Sequence, residues 1–172
     1  MKHYIGSNKE IFAFEDDGSQ DHLITDEMKP VEIPDKHSSL WIVDYDAGII
    51  IVDQSKEVER AKSIVKKQIE AQRKLDEEKG VTVNGVRYAG DPSNRQALSE
   101  VLDLAEATGM TTISAWKDSD GVFHSDQPVA DIRQALLDIA ARRGELIAQE
   151  GSLAAKVAAA ETVEAVEAIS WE

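Results

Sequence analysis

The sequence predicts an α+β protein. A small N-terminal β-rich module comes first, then a connecting amphipathic helix, then a C-terminal domain of two β-hairpins and two to three helices. Three observations carry that expectation. Before Asp53 the apolar residues alternate or cluster in short runs between turn residues, the period of a sheet. From Ser55 to Lys79 the period changes to that of a helix. After Gly80, Asn-Gly and Asp-Gly turns alternate with helical stripes that open on Asp, Ser or Pro. The expected segments are 1–54, 55–79 and 80–172. The last has its own hairpins, caps and stripes, so the stretch from Gly80 to Glu172 is expected to fold by itself.

The elements follow in order. Phe12 and Phe14 alternate with Ile11 and Ala13 between the turn signals Asn8-Lys9 and Asp17-Gly18, which reads as a strand. Pro30 and Pro34 break the next stretch, which reads as an irregular extended connection. Leu40-Trp41-Ile42-Val43 and Ile49-Ile50-Ile51-Val52 flank Asp44 to Gly48 as the arms of a hairpin. Both arms are apolar on both faces, so something should cover them.

In the connecting helix, Val58, Ala61, Ile64, Val65, Ile69 and Leu75 form one broad stripe, with Ser55 or Asp53 as cap and Gly80 as stop. The stripe needs a partner. It packs on its own domain or on copies of itself, since Val58, Ala61, Val65, Gln68, Gln72 and Leu75 follow a 3-4 spacing. Oligomerisation through Val58, Ala61, Val65 and Leu75 is the form the second option takes.

Beyond Gly80, Val81-Thr82-Val83-Asn84-Gly85-Val86-Arg87-Tyr88 is a hairpin. Asp91 and Pro92 open a helix with Leu98, Val101, Leu102 and Ala105 inside, and Gly109 ends it. A second hairpin turns at Asp120-Gly121. Ser125 or Asp126 is the expected cap of a long helix whose weak points are Gly144 and Gly151. Thr162 caps a short last helix.

The formal net charge is −14, with 33 acidic against 19 basic side chains. A surface this acidic repels phosphate backbones and anionic lipid heads, so no nucleic-acid and no membrane partner is expected. The absence of Cys removes disulfides and thiolate chemistry. Met1 to Gly6 carries no apolar signal core, so folding in the cytoplasm is expected.

Reactive-looking groups read as structural. Asp16, Asp17 and Asp21, and Asp118-Ser119-Asp120-Gly121, lack the alternating ligands and distant Glu of a calcium loop and read as turns. His3, His22, His37 and His124 lack metal-ligand spacing. Asp44-Tyr45-Asp46 pairs carboxylates only at a hairpin tip. Trp116 and Trp171 read as core. No phosphate loop or nucleophile elbow is present. The expectation is a protein without catalytic residues, metal or cofactor.

Two stretches resemble known families. Tyr4 to Ile24, with Ile11-Phe12-Ala13-Phe14-Glu15-Asp16-Asp17-Gly18 at its centre, resembles the opening of bacteriophage tail-fibre assembly proteins. Gly80 to Trp171 is similar to an uncharacterised domain of phage tail proteins. The similarity lies in Gly80-Val81-Thr82-Val83-Asn84-Gly85, Trp116-Lys117-Asp118-Ser119-Asp120-Gly121-Val122 and Thr162 to Trp171. The resemblance implies a phage or prophage tail context and no reaction. It implies an assembly chaperone whose partner is the tail-fibre protein, acting in the host cytoplasm. The alternative is a structural or receptor-binding piece kept in the virion tail and oligomerising through the helix. The residues expected to meet the partner are Phe12, Phe14, Trp41, Ile49 and Ile51.

Overall fold

The computed structural model describes residues 1–172 and is α+β, with four α-helices and small antiparallel sheets. It divides into two compact units, Met1–Ala61 and Lys62–Glu172. The division falls inside the helix that the sequence treats as a separate connector, helix α1 (Gln54–Glu78).

In the first unit, β1 (Lys2–Ile5) is the middle strand of a three-stranded sheet, between β2 (Ile11–Phe14) and β3 (Lys29–Val31). Alternation puts Phe12 and Phe14 on one face, their rings stacked at 6.4 Å, with Tyr4 edge-on to Phe14 at 5.7 Å. Ile5 is fully buried. The acidic turn after β2 is held by Asp17, which accepts from the Ser19 amide (2.9 Å) and hydroxyl (2.6 Å). β3 corrects the irregular connection expected around Pro30. Pro30 lies opposite Tyr4 in an edge strand, where a residue without an amide hydrogen costs the ladder nothing. A separate hairpin, β4 (Trp41–Asp44) and β5 (Ile49–Val52), pairs Trp41 with Val52 and Ile42 with Ile51. Asp53 then caps α1, accepting from the Ser55 hydroxyl (2.7 Å) and the Lys56 amide (3.2 Å).

The second unit is built on two hairpins and three further helices. Asn84 (φ 50°) and Gly85 (φ 82°) make the tight turn between β6 (Val81–Val83) and β7 (Val86–Tyr88). Between β8 (Thr112–Lys117) and β9 (Phe123–Pro128), Asp118 accepts from the amides of Asp120 (2.9 Å) and Val122 (2.8 Å) and lies 2.9 Å from His124 Nε2. Its carboxylate therefore organises a turn. The core joins Val86 and Tyr88 to Leu98, Leu102 and Ala105 of α2 (Pro92–Thr108) and to Val129, Ile132, Ala135 and Ile139 of α3 (Val129–Ala159). Trp116 packs against this cluster. Inside it the Tyr88 hydroxyl accepts from Gln127 Nε2 at 2.9 Å, and burial pushes its ionisation up to about 12.

α3 starts at Val129, after Pro128 and with no side-chain cap. The expected caps Ser125 and Asp126 lie instead in β9, where Ser125 pairs with Ala115, Asp126 has φ 53°, and the strand continues to Pro128. The helix runs unbroken through Gly144 and Gly151. Its second half lies along α1, running in the opposite direction. Lys62 Nζ reaches the Ala158 carbonyl (3.2 Å), Arg73 pairs with Glu150 (2.6 Å), and Arg143 pairs with Glu77 (3.4 Å). Val65 and Ile69 are buried on the same stripe of α1. Thr162 caps α4 (Val163–Glu167), accepting from the Ala165 amide at 3.1 Å. Trp171 Nε1 donates to Asp76 Oδ2 at 2.7 Å, tying the C-terminal segment back to α1.

The α2 cap carries a pH prediction. Asp91 accepts from the hydroxyl and amide of Ser93 and from the amide of Asn94. The Ser93 hydroxyl, followed by Asn94, pulls its carboxyl down to about 2. Because the folded value lies below the unfolded one, the cap is at full strength above pH ~4 and is lost as the pH falls through about 2. Asp91→Ala should cost about 1 kcal/mol at neutral pH. In urea titrations the gap between variant and parent should close at pH ~2, and a gap that persists there would refute the carboxylate cap.

Candidate functional site

The site is built on the β4–β5 hairpin. Its register places Trp41, Val43, Ile50 and Val52 on one face and Ile42, Asp44, Ile49 and Ile51 on the other. The first face is turned inward, with Ile50 buried. The second is open: Ile42 is 43% exposed, and Ile49 and Ile51 are each 46% exposed. Two of these isoleucines, Ile42 and Ile51, are cross-strand partners, so the three form one patch. A single exposed isoleucine needs no explanation, but three on one face of a two-stranded sheet mark a surface that gains by being covered.

The hairpin tip is tied down. Tyr45 donates its hydroxyl to the Glu27 carbonyl at 2.6 Å. Lys29 Nζ sits 4.6 Å from the Tyr45 ring and donates to the Asp46 carbonyl at 2.8 Å. Asp44 accepts from the Ala47 amide at 3.0 Å. A groove of about 460 Å³ runs between β3 and β5, lined by Pro30, Val31, Glu32, Gly48, Ile49 and Ile50.

The surroundings are strongly acidic. Residues 1–61 hold fourteen Asp and Glu against six Lys and Arg. Most of the cations are engaged within the unit: Lys2 with Asp21 (2.9 Å), Lys36 with Glu57 (2.6 Å), Lys56 with Asp53 (3.4 Å), and Lys29 with Tyr45. The field around the isoleucine patch is therefore negative.

The residues expected to meet a partner do not form one surface. Ile49 and Ile51 belong to the open face. Phe14 is only 7% exposed and Phe12 is half-buried, because both rings pack under their own sheet. Trp41 is half-buried on the inner face and donates its indole N–H to the Lys36 carbonyl at 2.9 Å. Ile42 completes the patch and is missing from the expected set. The register that follows from the Tyr45–Gly48 loop, pairing Ile42 with Ile51, is the signal that identifies it.

The expected oligomerisation residues are divided in the same way. Ala61 and Val65 are buried within the chain, Val58 is half-buried, and Leu75 is exposed on a different side of α1. The buried seam of α1 runs through Ala61, Val65, Ile69 and Asp76, so the 3-4 register through Leu75 is not the one that packs. No group of three His, Asp or Glu side chains is placed to hold a metal ion. No helix is long and apolar enough to cross a membrane.

Residues 60–170 match the model of a family described as a domain of unknown function (DUF4376). No curated protein and no solved structure matches the chain.

Proposed function

The chain belongs to the DUF4376 family, and we propose that it is a protein-binding assembly factor for a phage or prophage tail fibre, engaging the fibre through its N-terminal unit. The observation that carries this reading is the open patch of Ile42, Ile49 and Ile51 on a tethered hairpin in an acidic unit. The phage context rests on the resemblance of Tyr4–Ile24 and Gly80–Trp171 to tail proteins. Fibre tips expose unpaired strand edges while they trimerise, and such edges aggregate. An apolar patch in a unit this acidic suits the temporary covering of such an edge. The isoleucines supply the hold, and the negative field speeds encounter with a basic or neutral partner. The reading needs no cofactor, nucleic acid or membrane, and it places the protein in the host cytoplasm during assembly.

Co-expression tests it. Soluble trimeric fibre should rise several-fold when this chain is co-expressed with a fibre protein of the same phage or prophage, and the gain should shrink when the lysate is held at high salt. Equal yields of soluble trimer with and without the chain would refute the assembly role. Mass spectrometry of purified virions then shows whether the chain leaves the particle, as an assembly factor does, or stays in the tail.

A further inference from the structure

The edge of β5 is built to receive one more strand. Asp53 donates its amide to the Leu40 carbonyl at 2.7 Å, which sets the alternation of the hairpin ladder. Residues 42 and 51 then exchange hydrogen bonds within the hairpin, whereas Ile50 and Val52 turn their amides and carbonyls away from β4. The sheet has only two strands, so no strand pairs with β5 on that side. The groove of about 460 Å³ lies beside this edge.

The opposite wall offers a poorer edge to an incoming strand. Gly6 donates to the Glu10 carbonyl at 2.9 Å, so Tyr4 faces β2 and its partner Pro30 turns its ring nitrogen outward. The outer edge of β3 thus lacks a donor at its centre, a common way of blunting an edge. The groove therefore has one wall with outward donors and acceptors and one whose centre offers an acceptor but no donor.

Charge selects the occupant. Glu32 lines the groove, and Asp44 and Asp46 stand at the hairpin end without a cation in salt-bridge contact. We propose that this edge binds an extended segment of a partner protein by strand addition to β5. The segment carries apolar residues at alternate positions, which extend the Ile42, Ile49 and Ile51 face, and Lys or Arg between them, on the side of Glu32 in the groove. This rests on the protein-binding reading above and specifies its mode.

The probe is a capped nine-residue peptide alternating Val and Lys, with a Val-Glu counterpart as control. Added to the full chain at millimolar concentration, the Val-Lys peptide should slow amide hydrogen exchange at Ile50 and Val52 about tenfold or more. The outward amides of Ile11 and Ala13 on β2 should be unchanged, and the Val-Glu peptide should have no effect. Unaltered exchange at Ile50 and Val52, protection at Ile11 and Ala13 instead, or equal effects of both peptides would each overturn the proposal. A second arm uses the fibre co-expression assay. Val52→Pro removes an outward donor, whereas Val52→Ala keeps it and shortens the same side chain. Loss of function confined to Val52→Pro, with Trp41 fluorescence unchanged, supports strand addition. Fibre rescue that ignores Val52→Pro overturns strand addition and leaves the assembly reading standing. Peptide protection at Ile50 and Val52 in a chain that does nothing for fibre yield supports the site and removes the assembly role.

Discussion

Alanine at Gly90 should destabilise the second unit by on the order of 3 kcal/mol or more, far beyond the effect of alanine at an ordinary turn glycine. A Cβ on Gly90 would stand 2.1 Å from the Glu77 carbonyl oxygen, at the end of α1. A Cβ on Gly80 would stand 1.8 Å from the Tyr88 carbonyl oxygen, and Gly80 also has φ +63°. In both cases the obstacle is backbone, which cannot rotate aside, so the helix end would have to move from the end of β7. Gly85 provides the comparison. It has φ +82° but nothing within 4 Å of its Cβ position, so alanine there costs only the backbone conformation, about 1 kcal/mol. Urea midpoints of the three variants check the ordering. A Gly90→Ala variant no less stable than Gly85→Ala would show that α1 and β7 do not meet as described.

The second large effect concerns where the C-terminal unit begins. A fragment spanning residues 62–172 should unfold in one cooperative transition, whereas a fragment starting at Gly80 should be barely stable. The shorter fragment loses the α1 stripe that buries Val65 (5% exposed) and Ile69 (3% exposed). Each such side chain contributes about 1.5–3 kcal/mol, so the pair is worth roughly 3–6 kcal/mol, comparable with the whole stability of a small domain. It also leaves Glu150, Arg143 and Trp171 without Arg73, Glu77 and Asp76. Asp76 is held below the usual carboxylate range first by Lys79 and then by Trp171, both against the pull of burial. Thermal scans of the two fragments decide the matter, and equal midpoints would show that α1 contributes nothing to the unit.

Local signals in the sequence were legible where the chemistry is local. Asn84-Gly85, Asp91-Pro92, Gly109 and Thr162 each act through neighbours within a few positions, and the structure shows the turn, cap or stop that each implies. Pro30 misled because a proline forbids a central strand but not an outer one, and which strand lies outside depends on a pairing with β1. The cap of α3 misled because Ser125 and Asp126 have cap chemistry, yet the strand paired with β8 continues past both to Pro128. On α1, two registers of apolar residues differ by a small rotation. Only tertiary packing, which buries Val65 and Ile69, chooses between them and leaves Leu75 outside. The candidate surface shows the same limit. Ile49 and Ile51 could be named from an apolar run, but Phe14 and Trp41 look equally apolar in sequence and are placed on inner faces by strand alternation.

The most direct measurement of the central claim is the affinity of the full chain for its purified fibre, with and without Ile49→Asp and Ile51→Asp. Both side chains are nearly half exposed, so the substitutions should leave the fold of either unit unchanged by circular dichroism and thermal scan. Two carboxylates in the patch should weaken binding by about a hundredfold or more, since each must be desolvated against an apolar partner. A folded double variant that binds the fibre as tightly as the parent would contradict the account.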